Sequence, residues 1–396
     1  MIPVGTNLRL KHFPWATIGL LAANWVIFIF HQEMDHEIDF WIWHHFYNIP
    51  GELTPYALIT SMFFHADIWH IGFNSLYLWV FGIFVEDKLG WKAYLYLYLL
   101  TGMVSGLIHS TMVGLFLREE IFIPGLGASG AISGIMGIYL YRCYYSKIKL
   151  LISIWLPIRI QVPAIIILSF WFVINFMGGI DSIRGISTNI AFWAHVGGFL
   201  AGLGACKYLH YGKAARSEKL EFVAETALPQ FEGYGEGVEA AKKLLQENPD
   251  HPEINLELAR TLSRWRASEE GKDRYVKAIN LFLKTDPDKA IEIFTEYWGK
   301  YFTLFNPPQQ VRLSLLLEKR NPDFAAITLQ SLIDTDSSDC SSMEEAYLQL
   351  ARIYRQRLER NDLARAVYEK FLQKFPKSEK REYIQKVLEG MEKISK

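Results

Sequence analysis

Apolar and polar positions are unevenly distributed along the chain, and long apolar runs occur only in its first half. Six runs, each near the length of one membrane span, fall at about 15–31, 68–85, 93–117, 129–145, 162–179 and 189–209. A helix of about 20 apolar residues crosses the hydrocarbon core of a bilayer. From about residue 213 the pattern changes to short amphipathic helices. We therefore predict an all-α chain in three parts: a polytopic bundle of six transmembrane helices (1–212), a linker (213–234) and a soluble α-helical hairpin-repeat domain (235–396).

The charged residues support this division. Residues 1–212 hold 22 of the Asp, Glu, Lys and Arg side chains, whereas residues 213–396 hold 61. The net charge is −1 and there is no basic cluster beyond the membrane flanks, so we expect no nucleic-acid partner. Three cysteines, Cys143, Cys206 and Cys340, have neither metal-site nor disulfide-framework spacing and are interpreted as packing residues. We expect no metal and no cofactor.

Most positive charges flank one side of the six predicted spans. They are Arg9, Lys11, Lys88, Lys92, Arg142, Lys147, Lys149, Arg159, Lys207, Lys213, Arg216 and Lys219. The loops on the opposite side hold only Arg118 and Arg184. Because cytoplasmic loops carry the excess of Lys and Arg, both termini are expected in the cytoplasm. The first loop, at about 32–67, is acidic and aromatic without Lys or Arg, as expected at an outer membrane interface.

Proline turns separate the short helices of the second half. They occur at Pro249, Pro287, Pro322 and Pro376. One unit carries the pattern of a paired-helix repeat: Tyr347, Leu350, Ala351, Tyr354, Ala364, Tyr368 and Pro376. An earlier, degenerate unit contains Leu258, Ala259 and Leu262. The pattern resembles a tetratricopeptide repeat, which implies a module for a cytosolic protein partner. An irregular helical bundle stays open as an alternative, because the stretch 263–320 fits the roughly 34-residue period badly.

Polar side chains inside the predicted spans are few. Each needs a reason, because a central charge costs roughly 2.5–3.5 kcal/mol on insertion. In the second span His70 and Asn74 are four residues apart and share one helix face. His65 lies just before this span, and Glu86 lies near its cytoplasmic end.

A serine and a histidine stand near the starts of two other spans. Ser129 follows Gly125 and Gly127 at the head of the fourth span, and His195 lies near the start of the sixth. Stripes of small residues accompany them: Gly130 with Gly134, and Gly198 with Gly202. If the two spans pack through these stripes, Ser129 and His195 meet at one depth. An imidazole that takes the hydroxyl proton makes serine a nucleophile. No acidic third member is evident, so the pattern predicts a dyad whose ring is oriented by packing.

Three motifs occur in order in the second, fourth and sixth spans. They are His65-x-x-x-x-His70-x-x-x-Asn74, Gly127-x-Ser129-Gly130 and Ala194-His195-x-x-Gly198. Over about residues 10–210 the chain resembles the rhomboid intramembrane serine proteases. The resemblance implies that Ser129 is the nucleophile and His195 the general base, and that Ser129 N–H, His70 and Asn74 bind the oxyanion. It assigns structural support to His65, Glu86, Gly127, Gly130 and Gly198.

The resemblance also implies a function and a location. The expected protein is a serine endopeptidase of the bacterial inner membrane that cleaves transmembrane segments of other membrane proteins. Span five and the segment 176–184 would act as gate and cap. Two departures stand out: the Trp-Arg pair that many members carry in the first loop is absent, and Ser133 occupies the position where some members have a tyrosine that supports the histidine ring.

Other interpretations were weighed against this one. Taken alone, Ser129 is a helix N-cap, and His109, Asn24 and Asn175 are polar contacts between helices. A zinc site from His65, His70 and His195 is disfavoured because residues five apart diverge around a helix. A transporter would show two matching halves, and the sequence has none. The main alternative is a catalytically silent rhomboid-like scaffold that binds transmembrane helices.

Overall fold

The computed structural model describes residues 2–152, 158–186, 190–230, 234–335 and 340–394. The chain divides into two compact units, Met1–Lys219 and Leu220–Lys396. Both units are mainly helical, in agreement with the predicted all-α class. Each unit is described by itself below.

The first unit contains ten helices of four or more residues among its described residues, the last of which continues past Lys219. They are α1 (Trp15–Gln32), α2 (His36–Phe46), α3 (Ala57–Thr60), α4 (Ile68–Tyr77), α5 (Ile83–Leu89), α6 (Trp91–Phe116), α7 (Ser129–Cys143), α8 (Ala164–Ile183), α9 (Phe192–Tyr208) and α10 (Gly212–Ala227). A π-helical turn, Leu78–Gly82, joins α4 to α5. Short 3₁₀ helices occur at Pro50–Glu52, Ser61–Phe63 and Arg118–Glu120.

The six predicted spans correspond to α1, α4 with α5, α6, α7, α8 and α9. Among the described residues, four of these helices are long and apolar enough to cross a membrane: Trp15–Gln32, Ile68–Leu89, Trp91–Phe116 and Ala164–Ile183. The remaining two are shorter, with 15 residues in α7 and 17 in α9. At about 1.5 Å of rise per residue, α7 is shorter than the roughly 30 Å hydrocarbon core. One end of α7 is therefore expected to lie below a membrane surface.

A small antiparallel sheet adds to the helices of this unit. Its strands are β1 (Ile2–Thr6), β2 (Lys147–Leu151) and β3 (Arg159–Pro163), in the order β1-β2-β3. Alternation explains β2, because Lys147 and Lys149 are exposed whereas Ile148 and Leu150 are buried. The sequence prediction contained no strand, since this stretch was used only for its positive charges.

Close contacts between α7 and α9 involve the predicted glycines of α9. A Cβ atom added to Gly198 would overlap the carbonyl oxygen of Gly130, and one added to Gly202 would overlap that of Gly134. Only glycine lets two helix backbones approach this closely. The expected packing of these two spans through their glycines is therefore present.

The glycines of α7 also leave room for a third helix, which the sequence did not predict. A Cβ atom added to Gly130 would overlap Ser105, and one added to Gly134 would overlap Thr101, and both of these residues lie on α6. Gly137 is the α7 glycine whose missing side chain faces α9, at the carbonyl of Phe199. The predicted contact of one glycine stripe with the other is therefore present, and the structure adds α6 as a third helix packed against the glycines of α7.

Glu86 on α5 holds the start of α1. Its carboxylate accepts hydrogen bonds from Ala16 N at 2.8 Å, Thr17 N at 2.8 Å and Thr17 Oγ1 at 2.7 Å. The first N–H groups of a helix have no partner within the helix, and they favour negative charge. Glu86 is 5% exposed, so this pairing also satisfies a buried carboxylate.

The predicted linker at 213–234 is largely helical over its described residues. Helix α10 runs through Gly212–Ala227. Arg142 at the end of α7 is 4% exposed and forms an ion pair with Glu218 of α10. The guanidinium carbon of Arg142 lies 4.9 Å from the ring centre of Tyr211. The segment was predicted as a linker, whereas its start packs within the first unit.

The second unit is a series of helical hairpins. Its helices are α11 (Tyr234–Glu247), α12 (Pro252–Leu262), α13 (Glu269–Thr285), α14 (Pro287–Tyr301), α15 (Pro307–Glu318), α16 (Pro322–Asp334), α17 (Cys340–Gln356), α18 (Asn361–Lys374) and α19 (Arg381–Ile394). Hairpins begin at α11, α13, α15 and α17, close to the roughly 34-residue spacing of tetratricopeptide repeats. The stretch 263–320, which fitted that period badly in the sequence, therefore also forms paired helices.

Prolines mark several helix starts in this unit. Pro287 and Pro322, two of the predicted turn residues, occupy the first turns of α14 and α16. The side chains before them, Asp286 and Asn321, accept hydrogen bonds from backbone N–H groups of the same turns. Proline suits this position because the first N–H groups of a helix have no partner within it.

Candidate active site

Gly127 shapes the backbone that enters α7. Its φ of +114° is rarely adopted by residues with a side chain, and its N–H donates to the carbonyl of Ser61 at 2.9 Å. A Cβ atom here would lie 2.6 Å from Nε2 of His70. Glycine is thus required both by the turn and by the neighbouring ring, and the turn makes Ser129 the first residue of α7.

Ser129 and His195 are in direct contact. His195 Nε2 lies 2.9 Å from Ser129 Oγ, within hydrogen-bond distance. The glycine contacts described above bring α9 against α7 at this level. The hydroxyl of Ser105 on α6 also donates to the carbonyl of Ala194 at 2.7 Å, which ties down the first turn of α9.

Asn175 on α8 contacts the other nitrogen of the histidine ring. His195 Nδ1 lies 2.7 Å from Asn175 Oδ1, and Asn175 Nδ2 donates to the carbonyl of Trp171 at 2.8 Å. The ring of Trp171 lies beside the imidazole, with ring centres 5.9 Å apart. Sequence reasoning treated Asn175 as an ordinary contact between helices. A buried amide in a span as apolar as α8 was the signal that could have identified it.

Ser133 is turned toward its own helix. Its hydroxyl donates to the carbonyl of Ser129 at 2.7 Å. The ring of His195 is therefore held from α8, by Asn175 and Trp171, rather than by glycine packing alone. This contact corrects the expectation that packing would be the only support of the ring.

His70 and Asn74 approach the same turn from α4. Asp67 caps this helix by accepting hydrogen bonds from Trp69 N at 2.8 Å and His70 N at 2.9 Å. A Cβ atom on Gly127 would lie 3.6 Å from Asn74 Nδ2. Asn74 is 7% exposed, and within the described part of the chain its Nδ2 has no hydrogen-bond partner. Among the described residues, the structure therefore keeps a buried donor without a partner beside Gly127.

The ring of His65 packs against the ring of His70. The two ring centres are 5.2 Å apart in an edge-to-face arrangement, and His65 is 1% exposed. Burial, with a smaller contribution from the neighbouring His70, lowers the pKa of His65 to about 4. The contact between the two rings supports the position of His70.

A small cavity adjoins Ser129. It is lined on its polar side by Asn48, Ser61, Ser105 and His109. No three His, Cys, Asp or Glu side chains in the described ranges come close enough together to share a metal ion. Cys143 and Cys206 are buried free thiols, and the side chain of Cys340 lies outside the described residues.

Residues 52–212 match the family model of the rhomboid domain, and residues 345–378 match that of a tetratricopeptide repeat. The first half of the chain thus contains a rhomboid domain, and the second half carries a tetratricopeptide repeat. Together with the apolar helices, this match identifies a membrane protein. The predicted resemblance to the rhomboid family and the predicted all-α fold class are both confirmed.

Several proteins are similar to part of this chain. Rhomboid protein 1, mitochondrial, of Saccharomyces cerevisiae is 35% identical over 96 residues, which are 24% of this chain and 28% of that protein. RHOMBOID-like protein 12, mitochondrial, of Arabidopsis thaliana is 33% identical over 156 residues, 36% of this chain and 43% of that protein. Rhomboid protease GluP of Bacillus subtilis is 32% identical over 159 residues, 40% of this chain and 27% of that protein. The chain spans less than half the length of these three relatives.

Proposed function

We propose that this protein is an intramembrane serine endopeptidase that cleaves the transmembrane segments of other membrane proteins. The observation that carries the proposal is the 2.9 Å distance between Ser129 Oγ and His195 Nε2 at the start of a short helix in the rhomboid domain. Ser129 Oγ attacks the peptide carbonyl carbon while His195 Nε2 takes its proton. His195 then returns this proton to the leaving amine. A water molecule, deprotonated by His195, hydrolyses the acyl-enzyme and restores Ser129.

The negative oxygen of each tetrahedral intermediate needs hydrogen-bond donors. We assign this role to the N–H of Ser129 and to the side chains of His70 and Asn74. The proposal is supported by the buried Nδ2 of Asn74 beside Gly127, which has no hydrogen-bond partner among the described residues. A buried donor without a partner costs about 1–3 kcal/mol, and an oxyanion at this place would satisfy it. These steps use only side-chain and backbone groups of this chain and water.

The soluble unit completes the proposal. A tetratricopeptide repeat at 345–378 supports a role in binding a cytosolic protein partner. We place both termini in the cytoplasm, on the distribution of Lys and Arg along the chain. The resemblance to rhomboid proteases favours a bacterial inner membrane as the location. Of the three relatives described above, two are named mitochondrial and one is from a bacterium, so an equivalent mitochondrial membrane is the competing location.

Labelling with a fluorophosphonate tests the proposed function. This reagent phosphonylates a serine that is activated by a neighbouring base. We expect one adduct on the wild-type protein, none on Ser129→Ala, and an unchanged adduct on Ser133→Ala, which removes a hydroxyl one turn later on the same helix. Equal labelling of wild type and Ser129→Ala would overturn the assignment. Absence of any adduct on folded wild-type protein would favour the silent scaffold.

A further inference from the structure

We propose that Asn175 is a positioning residue, whose side-chain oxygen holds His195 in the tautomer that accepts the proton of Ser129. The inference rests on the proposed function. Its basis is a continuous path of three groups: Asn175 Oδ1 lies 2.7 Å from Nδ1 of His195, and Nε2 of the same ring lies 2.9 Å from Ser129 Oγ. Asn175 thus stands where the acid stands in a Ser-His-Asp triad.

The orientation of the Asn175 amide follows from its second contact. Its Nδ2 donates to the carbonyl of Trp171 at 2.8 Å, one turn earlier on α8. In the opposite orientation two acceptor oxygens would face each other, and Nδ2 would lose this acceptor. Asn175 is 5% exposed, so such a mismatch would cost about 1–3 kcal/mol. The backbone of α8 therefore directs Oδ1 toward the ring.

This orientation determines which ring nitrogen carries the proton. An amide oxygen only accepts hydrogen bonds, so Nδ1 of a neutral His195 must be the N–H donor. The lone pair of the ring is then on Nε2, which faces Ser129 Oγ and accepts its proton. When the ring becomes charged, Nδ1 still donates to Oδ1, and the amide dipole stabilises the positive charge. The other tautomer would present an N–H to the serine and block proton transfer.

A purely structural role for Asn175 makes different predictions. A further buried asparagine of a predicted span, Asn24 on α1, is 2% exposed, and within the described part of the chain it forms no hydrogen bond with Ser129 or His195. It is a matched control, because Asn24→Leu and Asn175→Leu each replace a buried side-chain amide on a membrane helix with leucine. If Asn175 only fills space between helices, the two substitutions should have similar effects on activity.

The test combines kinetics with a spectroscopic measurement on the full chain in detergent micelles. We expect Asn175→Leu to lower kcat roughly 100-fold, less than the ~10⁴-fold loss that follows when a triad loses its orienting carboxylate. KM should stay unchanged. Asn175→Asp keeps an acceptor at the same place and should restore most of the activity, whereas Asn24→Leu should leave kcat unchanged. ¹⁵N NMR of the neutral wild-type ring should show His195 protonated on Nδ1, and Asn175→Leu should show a mixture of tautomers.

Several results would overturn the inference. One is a wild-type ring protonated on Nε2, which can be read even if Asn175→Leu does not fold. Others are an Asn175→Asp protein as impaired as Asn175→Leu, or a rise in KM with kcat unchanged. Fluorophosphonate labelling separates this failure from that of the proposed function. An unlabelled wild-type protein refutes the protease, whereas a labelled protein with the wrong tautomer refutes only the role of Asn175.

Discussion

Gly198 of α9 lies directly against the backbone carbonyl of Gly130 of α7. A Cβ atom on Gly198 would overlap the carbonyl oxygen and come 3.1 Å from the carbonyl carbon of Gly130 and 3.3 Å from the N atom of Gly134. Gly130 directly follows Ser129 in the chain, and Gly198 lies three residues after His195. The contact between the two glycines therefore sets the separation at which the imidazole reaches the hydroxyl.

Gly198→Ala should separate these two helices. Backbone atoms cannot move aside as a flexible side chain can, so the added methyl group should cost about 1–3 kcal/mol of unfolding free energy. The distance from His195 to Ser129 should grow, and the rate of fluorophosphonate labelling should fall at least tenfold, since a misplacement of about 1 Å costs roughly 100-fold in well-oriented reactions. Thermal unfolding and labelling rates measure the two effects.

Gly204→Ala is the matched control for this substitution. Gly204 lies on the same helix, and a Cβ atom there meets no other atom within 4 Å. Alanine has the higher helix propensity, so stability should be unchanged or slightly increased. If Gly198→Ala is labelled as fast as Gly204→Ala, then the close approach of α7 and α9 does not position the dyad.

Glu86→Gln should loosen the start of α1. The carboxylate accepts three hydrogen bonds from Ala16 and Thr17, whereas a carboxamide would direct an NH₂ group at N–H donors. We expect a loss of about 1–3 kcal/mol, because the site is buried and one or more donors would be left without an acceptor. Unfolding of both proteins in detergent measures this loss of stability. The exposed Glu33 at the other end of α1 provides the control: Glu33→Gln should have no measurable effect, and equal destabilisation by both variants would contradict the capping role.

The sequence was sufficient to predict that Ser129 and His195 lie in contact, but it did not predict all the residues around them. The positions of the six spans follow from long apolar runs, and the three motifs narrowed the site to a few polar residues. The contact of Asn175 with His195 was not predicted, because it depends on the rotation of α8 about its own axis. That rotation is set by packing against α9, and no local pattern around Asn175 encodes it.

Short and charged elements were the other omissions. Strand β2 carries two lysines in five residues, so it was interpreted as a basic loop. Its pairing with β1 joins residues more than 140 positions apart in the sequence, a non-local contact that a window of residues does not contain. Helix α10 lies in the segment that was predicted as a linker, and its ion pair between Glu218 and Arg142 is likewise a contact between residues far apart in the sequence.

Glu218→Gln should destabilise the first unit. It would leave Arg142, which is 4% exposed, as a buried charge without its carboxylate partner. Breaking one side of a buried pair costs about 3–5 kcal/mol. Arg216→Gln on the exposed side of α10 should be neutral. Thermal unfolding of both proteins in the same detergent compares them, and equal stability would show that the pair does not hold α10.

The same ion pair predicts where the chain can be shortened. A protein ending at residue 230 retains Glu218, so Ser129 should still react with a fluorophosphonate at about the wild-type rate. A protein ending at residue 212 loses Glu218 and should be unstable or label slowly. Full activity of the shorter protein would mean that α10 is dispensable, and loss of activity in a folded longer protein would mean that the soluble unit is required for catalysis.

The second unit should lose stability in acid through Glu296. Burial raises the pKa of Glu296, but hydrogen bonds from Arg260 and Tyr275 and the charge of Arg260 outweigh it, so its pKa lies below the usual value. Arg260 Nη2 is 2.8 Å and Tyr275 Oη 2.5 Å from the carboxylate. Since the folded-state pKa is depressed, the stabilisation is fully present above the unfolded pKa of about 4.3 and is lost as the pH falls through the folded value.

Unfolding temperatures measured on the full chain between pH 6 and pH 3 test this linkage. We expect Glu296→Gln to be less stable than wild type at pH 6 and to converge with it as the pH falls, because the mutant has no carboxylate to protonate at this position. Glu292→Gln changes an exposed acid on the same helix and should follow the wild-type curve. A constant difference between Glu296→Gln and wild type over this range would show that the loss is one of packing, since a charge-dependent contribution must shrink once the wild-type carboxylate is protonated.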